Sequence, residues 1–352
     1  MKRILVIGFT LILLLAMAVP ALGAIGFGTR AMGMGGAFTA VADDESAFYW
    51  NPAGITQVRF ASVMLGIGAQ GEDYSFLSDT IDNISDLERL NPLDFELGRG
   101  YLNLGLLGGI TTRFVGVNFY SETSISVDHP ELETLDVAAS SFNYGAVTIA
   151  AKIKEDIAVG LNLKKVIAGL GGGSVNIDKA APLNSTNETY YADGDGISYD
   201  LGVLYRLSDQ VTFGFIARNL GGEVDLKGEK VNHLTNGKAP YSESVDLPKE
   251  YAVGVSYRPF KTTLLAFDIQ KCDARLPFTP EQTRFRIGFE QTALWNIIAL
   301  RLGAFTNKGD PMALTAGIGF NLGPLEIGVA GVKEEINDKD ATQALVTAGI
   351  RF

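Results

Sequence analysis

The sequence predicts an all-β fold, a 14-stranded antiparallel transmembrane β-barrel with an N-terminal plug segment. Three observations predict it: segments of about ten residues with apolar side chains at every second place, connections that alternate between long and short, and a compact small-residue stretch ahead of the first strand. A helix does not hold a period of two. Hydrophobic residues make up 47% of the 352, yet only one apolar run, Ile4 to Val19, approaches the length of a spanning helix. A polytopic helical membrane protein is therefore excluded. Glycine is abundant, 41 residues, without the Gly-X-Y period of collagen or the low hydrophobicity of a disordered chain.

The apolar run opens the chain. Lys2 and Arg3 precede it and Pro20-Ala21-Leu22-Gly23 follow, a pattern that predicts a signal peptide, residues 1–23, cleaved near Gly23. No cysteine follows that site, so no lipoprotein anchor is expected, and Cys272, the one cysteine, forms no internal disulfide. Without Lys2 and Arg3 the chain has 27 basic against 40 acidic side chains, which argues against nucleic acid as a partner.

Alternation places the strands near 58–69, 100–109, 112–127, 137–153, 156–170, 196–207, 210–220, 248–259, 261–271, 282–292, 295–306, 312–321, 323–333 and 341–352. From Glu250 to Arg258, for example, Tyr251, Val253, Val255 and Tyr257 share one face, and Ala252, Gly254 and Ser256 the other. Ser140 to Ile153 alternates poorly, which predicts a bulge or a shifted register. The odd connections are long (70–99, 128–136, 171–195, 221–247, 272–281, 307–311, 334–340) and the even ones tight, so both termini are expected on the periplasmic side of an outer membrane. A terminal strand ending in Phe352 resembles the signal read by the bacterial barrel-assembly machinery, an expected partner besides the lipid bilayer. A soluble β-sandwich or lipid-binding barrel alternates too; the signal peptide, the loop alternation and aromatic strand ends such as Tyr199/Tyr205 favour the membrane.

Residues 24–57 form the predicted plug and 58–352 the barrel. Gly33, Gly35, Gly36, Ala37 and Ala40 permit close backbone approach, and Asp43-Asp44 and Asn51-Pro52 carry turn and cap chemistry. A nucleotide loop is rejected, since GxGxxG is incomplete at Gly26, Gly28 and Ala31 and no Gly-Lys-Ser/Thr follows. The pattern Gly28-x-Arg30-Ala31, Gly35, Ala37, Ala42-Asp43-Asp44, Asn51-Pro52-Ala53 resembles the plug of the FadL family of outer-membrane channels and of PorV-like and related barrels. The resemblance implies a hatch in the lumen, passive uptake of a hydrophobic small molecule such as a long-chain fatty acid or an aromatic hydrocarbon, and sideways exit through a wall defect near the third strand. PorV-like relatives imply the alternative, a structural or secretion-partner barrel without small-molecule transport.

Strand phase puts Phe60, Met64, Leu107, Phe114 and Tyr120 inside, and with Met32, Met34 and Phe38 of the plug they form a candidate hydrophobic path; the alternative is that they pack the plug against the wall. Arg206, Arg218, Arg258, Arg284, Arg286, Arg301, Glu250, Asp268, Glu290 and Glu326 are expected to line a polar lumen. Arg30, Asp43 and Asp44 are expected to pair with one another or with wall residues such as Glu250 and Arg284, while Asn51-Pro52 aims the chain into the wall. No enzyme is expected: the two histidines, His129 and His233, fall in loops without nucleophile or metalloprotease context. No cofactor is expected, and Asp193-Gly194-Asp195-Gly196 with Asp200 lacks the ligand spacing of a calcium loop.

Overall fold

The computed structural model describes residues 26–58, 60–71, 100–128, 134–176, 188–232, 235, 237–273, 281–308, 311–336 and 339–352. The predicted signal peptide, His129 and His233 lie outside the described residues. Among the described residues there are two short helices, α1 (Thr29–Gly33) and α2 (Ala47–Trp50), and a 3-10 turn, Pro52–Gln57. Fifteen strands follow: β1 Ala61–Gly71, β2 Gly100–Thr112, β3 Val115–Asp128, β4 Thr134–Lys152, β5 Ile157–Asn176, β6 Glu188–Arg206, β7 Val211–Asn232, β8 Gly237–Asp246, β9 Glu250–Phe260, β10 Thr263–Cys272, β11 Gln282–Ala293, β12 Ile298–Asn307, β13 Ala313–Leu322, β14 Leu325–Ile336 and β15 Lys339–Arg351. All pairings are antiparallel, and β1 pairs with β15 while β6 pairs with β7, which closes a barrel of fourteen strands with β8 as an extra one.

The extra strand lies in the connection 221–247 that the sequence reading treats as a loop. β7 changes partner along its length: Val211 to Arg218 pair with β9, and Glu223 to Asn232 with β8. The switch is built from Asn219 (φ 57°) and Gly221 (φ 62°) on β7 facing Leu247 and Pro248, where proline has no N–H to give the ladder. Asn219 Nδ2 donates to the Pro248 carbonyl at 2.8 Å and the Leu247 N–H to the Gly222 carbonyl at 2.9 Å, so the switch is closed by hydrogen bonds. A period of two was present there, with Val224 and Leu226 buried between exposed Glu223, Asp225 and Lys227.

Two further expectations are corrected. β4 pairs without a shift along its whole length with β3 and β5, so there is no bulge between Ser140 and Ile153; the alternation is masked because inward Phe142 and Tyr144 are themselves apolar. β3 likewise pairs continuously with β2 and β4, so among the described residues no wall defect falls on the third strand. Among the described residues the register shifts fall between β6 and β7 and between β9 and β10.

The orientation of the faces decides between membrane and soluble barrels. Val63, Leu65 and Ile67, Val253, Ile287, Leu302 and Leu314 all point outward and are exposed, while Ser62, Thr148, Asn162, Asp268 and Arg301 point inward and are buried. A continuous apolar belt of this extent needs lipid, not water, around it. No helix among the described residues is long and apolar enough to cross a membrane; the strands do so.

Many of the glycines line the inner wall at the level of the plug. A Cβ on Gly160 would come 2.3 Å from the Ala53 nitrogen, on Gly202 2.1 Å from Asn51 Oδ1, on Gly214 2.2 Å from the Thr39 carbonyl, on Gly288 2.5 Å from the Met34 carbonyl, on Gly303 2.2 Å from the Gly35 nitrogen and on Gly328 2.2 Å from Thr29 Oγ1. These inward glycines on β5, β6, β7, β11, β12 and β14 let the plug backbone lie directly on the barrel backbone.

Candidate functional site

The plug is folded by local turns and then fastened to the wall. After α1, Gly35 and Gly36, with left-handed φ of 68° and 70°, turn the chain while the Gly36 N–H donates to the Ala31 carbonyl at 2.8 Å. A Cβ on Gly36 would in addition displace the Arg286 guanidinium, 1.8 Å away. Asn51 is extended, and its Nδ2 donates to the carbonyls of Thr39 (2.8 Å), Val203 (3.1 Å) and Phe215 (3.3 Å), tying the plug to itself and to β6 and β7. Pro52 then opens the 3-10 turn, so the Asn51-Pro52 pair aims the chain into that turn and not directly into β1. Asp268 Oδ2, from β10, accepts from the Phe38 and Thr39 N–H groups at 2.9 and 2.8 Å, and Thr315 Oγ1 donates to the Gly33 carbonyl and accepts from the Gly35 N–H.

On the side of the short turns the plug ends in a chain of ion pairs. Arg30 donates to both oxygens of Glu290 at 2.7 and 2.8 Å and to Asp43 at 2.5 Å, with Asp44 at 3.7 Å. Asp43 also takes Arg258 at 2.7 Å, Glu290 also takes Arg301 at 2.8 Å, and Arg351, on the last strand, bridges Glu326 and Glu45. Four arginines and five carboxylates thus link the plug to β9, β11, β12, β14 and β15. They border a vestibule of about 730 Å³ that also exposes Trp295. Burial alone would raise the Asp43 carboxyl, but Arg30 and then Arg258 outweigh it and hold it below the usual carboxylate range. Asp44 goes the other way, raised by burial that Arg30 does not offset. For Arg30 burial lowers the pKa, and Asp43 and Glu290 more than restore it.

The wall partners of the predicted plug charges are therefore Glu290 and Arg258. Glu250 instead pairs with Arg218 at 2.6 Å, and Arg284 pairs with neither plug carboxylate. Arg206 is exposed at the strand end and does not line the lumen. Asp193 and Asp195 face outward on β6 while Asp200 is buried on its inner face, so the three cannot converge on one ion.

Of the candidate path, Met32, Met34, Phe38, Met64, Leu107 and Tyr120 are buried inside the barrel and belong to one apolar cluster. Phe60 (77% exposed) and Phe114 (60%) are outside: the first precedes β1 and the second sits in the turn after β2, where strand phase no longer applies. On the long-loop side of the plug the lumen is aromatic. Phe27, Tyr49 and Tyr120 meet edge to face at 4.9 to 5.5 Å, and Tyr120 stacks on Tyr144 at 4.2 Å. Lys164, fully buried on β5 and not singled out by its sequence, sits against these rings and pairs with Asp200 at 2.6 Å and Asn219 at 2.6 Å. Its place on the polar face, two residues from Asn162, was the available signal.

No family model and no curated protein matches the sequence. Solved structures do match over nearly the whole chain. The toluene transporter TbuX of Ralstonia pickettii is 14% identical over 93% of this chain and 98% of its own, with a TM-score of 0.64. A FadL homologue of Pseudomonas aeruginosa is 12% identical over 96% and 100%, TM-score 0.62. The fold is FadL-like. The CymD monoaromatic hydrocarbon channel, 16% identical over 94% and 99% with a TM-score of 0.61, shares the FadL-like fold.

Proposed function

We propose that this FadL-like barrel is an outer-membrane channel for passive uptake of hydrophobic small molecules such as long-chain fatty acids or aromatic hydrocarbons, and not an enzyme. The observation that carries the reading is the aromatic and apolar cluster that Phe27 and Tyr49 of the plug form with Leu107 and Tyr120 of the wall, with the plug held to the wall by side-chain contacts. Apolar solute is desolvated there, and displacement of the plug opens the vestibule below it. The structural neighbours that transport toluene or conduct monoaromatic hydrocarbons support the same reading. No motif for energy coupling occurs in the sequence, so the solute gradient drives the flow. The short turns face the periplasm in this arrangement, with the barrel-assembly machinery as the partner in biogenesis. Cells carrying the barrel in an otherwise channel-poor outer membrane take up labelled fatty acid or toluene faster than cells without it. Equal rates, with the protein inserted and heat-modifiable on gels, refute the reading.

A secretion-partner role has one observation in its favour: β4 to β7 are longer than β9 to β13, and the outer part of β7 forms a hairpin with β8 beyond the barrel wall. Removal of residues 223–246 separates the two readings, because a partner role is lost with the hairpin and lumen uptake survives.

A further inference from the structure

The plug carries its backbone strain at Ala42. Among the described residues five that are not glycine have a positive φ. Asn219 and Asn296 are of the type that tolerates it, and Leu294 and Trp295 lie in an exposed turn. Ala42 is fully buried, and its φ of 23° falls short even of the left-handed well at about +50 to +70°. A residue held in this way persists only where its surroundings over-determine it, and such positions collect at clamps and switches. Three contacts impose the angle here. Gln57 Nε2 donates to the Val41 carbonyl at 3.1 Å and to the Ala42 carbonyl at 3.4 Å. The Ala42 carbonyl lies so near Gly54 that a Cβ there would fall 1.9 Å from it. Asp43, the next residue, is drawn to Arg30 and Arg258.

The chain on either side of this point is fastened by its backbone, and the stretch after it is not. Before Ala42, the Phe38 and Thr39 N–H groups end on Asp268, and the Ala40 carbonyl accepts from Ser256 at 3.2 Å. After Ser46, the carbonyls of Phe48 and Trp50 accept from Asn162 at 2.7 Å and from Arg218 at 3.4 Å. Between them, the backbone of residues 43–46 makes no hydrogen bond to the wall among the described residues; the side chains of Asp43 and Glu45 hold it there, on Arg258 and Arg351. This stretch also separates two spaces. Asp43, Asp44 and Glu45 line the vestibule. Ser46 lies against Gly28, where a Cβ would meet its side chain at 3.1 Å, next to the cluster of Phe27, Tyr49 and Trp50.

We propose that residues 42–46 are the gate of the plug, with Ala42 as its strained hinge and the ion pairs of Asp43 and Glu45 as its catch. When the catch lets go, the Ala42 backbone relaxes and carries Asp43 to Ser46 toward the vestibule, while the backbone-fastened parts of the plug stay in place. The gate rests on the channel reading and specifies how little of the plug has to move. Strain and catch oppose each other across one peptide, so the closed state is held by charge and biased to open by geometry.

The sign of one substitution tests this. Ala42→Gly relieves the strain and keeps the turn, so the closed gate gains. In planar bilayers the full-length protein is expected to open at least about fivefold less often, with amide exchange at residues 43–46 slowed by a like factor and exchange at residues 29–36 within a factor of about two of the unsubstituted protein. At an unstrained position the same change only adds chain freedom, and opening rises. Arg30→Ala/Ala42→Gly is likewise expected to conduct less than Arg30→Ala alone. Openings of Ala42→Gly as frequent as before, or more so, overturn the proposal, and so does exchange that slows equally over residues 28–57, since the plug then moves as one body. The unsubstituted protein decides without any variant that has to fold: its exchange must be faster at residues 43–46 than at 38–40 and 48–51, and uniform exchange overturns the gate. Uptake of labelled toluene by cells carrying Ala42→Gly separates the two levels. Fewer openings with unchanged uptake leave the gate standing and take the plug off the uptake route; unchanged openings overturn the gate and leave the channel reading as it was.

Discussion

The two faces of the plug use the same residue type in opposite ways. On the short-turn face every arginine that touches the plug has a carboxylate partner, and Arg30 alone reaches Asp43, Asp44 and Glu290. On the long-loop face Arg284 and Arg286 end on neutral amides. Charges that are paired and dehydrated hold a structure in one arrangement, because removing one partner strands the other. The short-turn face is accordingly proposed as the seal, and what sets it apart is direct ion pairing, not the number of arginines.

The comparison breaks most readily at Arg30. Arg30→Ala leaves Glu290 and Asp43 buried with one fewer cation each, a loss of about 3–5 kcal/mol by analogy with other buried pairs, and a double Asp43→Ala/Asp44→Ala change does the same from the other side. Conductance in planar bilayers is expected to rise several-fold for small hydrophilic ions while the wall stays heat-modifiable; unchanged conductance in both variants removes the seal. Gly202→Val comes next. Its Cβ falls 2.1 Å from Asn51 Oδ1, and overpacking of this kind costs about 1–3 kcal/mol, read as faster proteolysis of the plug with the barrel intact.

Acid acts on the same seal with a defined sign. Asp43 is held below its ordinary value of 3.8, so its contribution is complete above that value and is lost as pH falls through the lower folded one. Asp44, raised by burial, contributes in the opposite sense and is not what fails in acid. Conductance is therefore expected to stay flat from neutral pH to about 4 and to climb only below it. The smallest effect belongs to an exposed pair of the same composition. Lys165→Ala breaks the contact with Asp195 on the outer face, and both side chains are more than half exposed. No change in unfolding temperature is expected, since exposed pairs are screened and entropically costly. A shift as large as that of Arg30→Ala would show that burial is not what distinguishes the seal.

Reading the strands from sequence succeeded where two neighbours decide a residue's surroundings, and failed where the chain leaves the wall. All fourteen wall strands are recognisable in the alternation, but phase fails for Phe60 and Phe114, which lie just beyond a strand end, and β8 lies in a long connection whose pairing its length does not reveal. The plug charges were legible as charges that must be paired. Their partners were not: Arg30 meets Glu290 across 260 residues of chain, and Arg351 meets Glu45 across 306.

The sequence by itself determined the all-β class, the fourteen wall segments and the presence of an N-terminal plug segment, because a strand with one face toward lipid repeats every two residues and a plug of small residues interrupts that repeat. Only the tertiary structure decided which partner each arginine meets. It also decided that β7 changes partner at Asn219 and that the glycines form a bed for the plug backbone. The reason is geometric. Closing a barrel sets the stagger of every strand against the next, and that stagger, which no local pattern encodes, brings side chains hundreds of residues apart to the same height in the lumen.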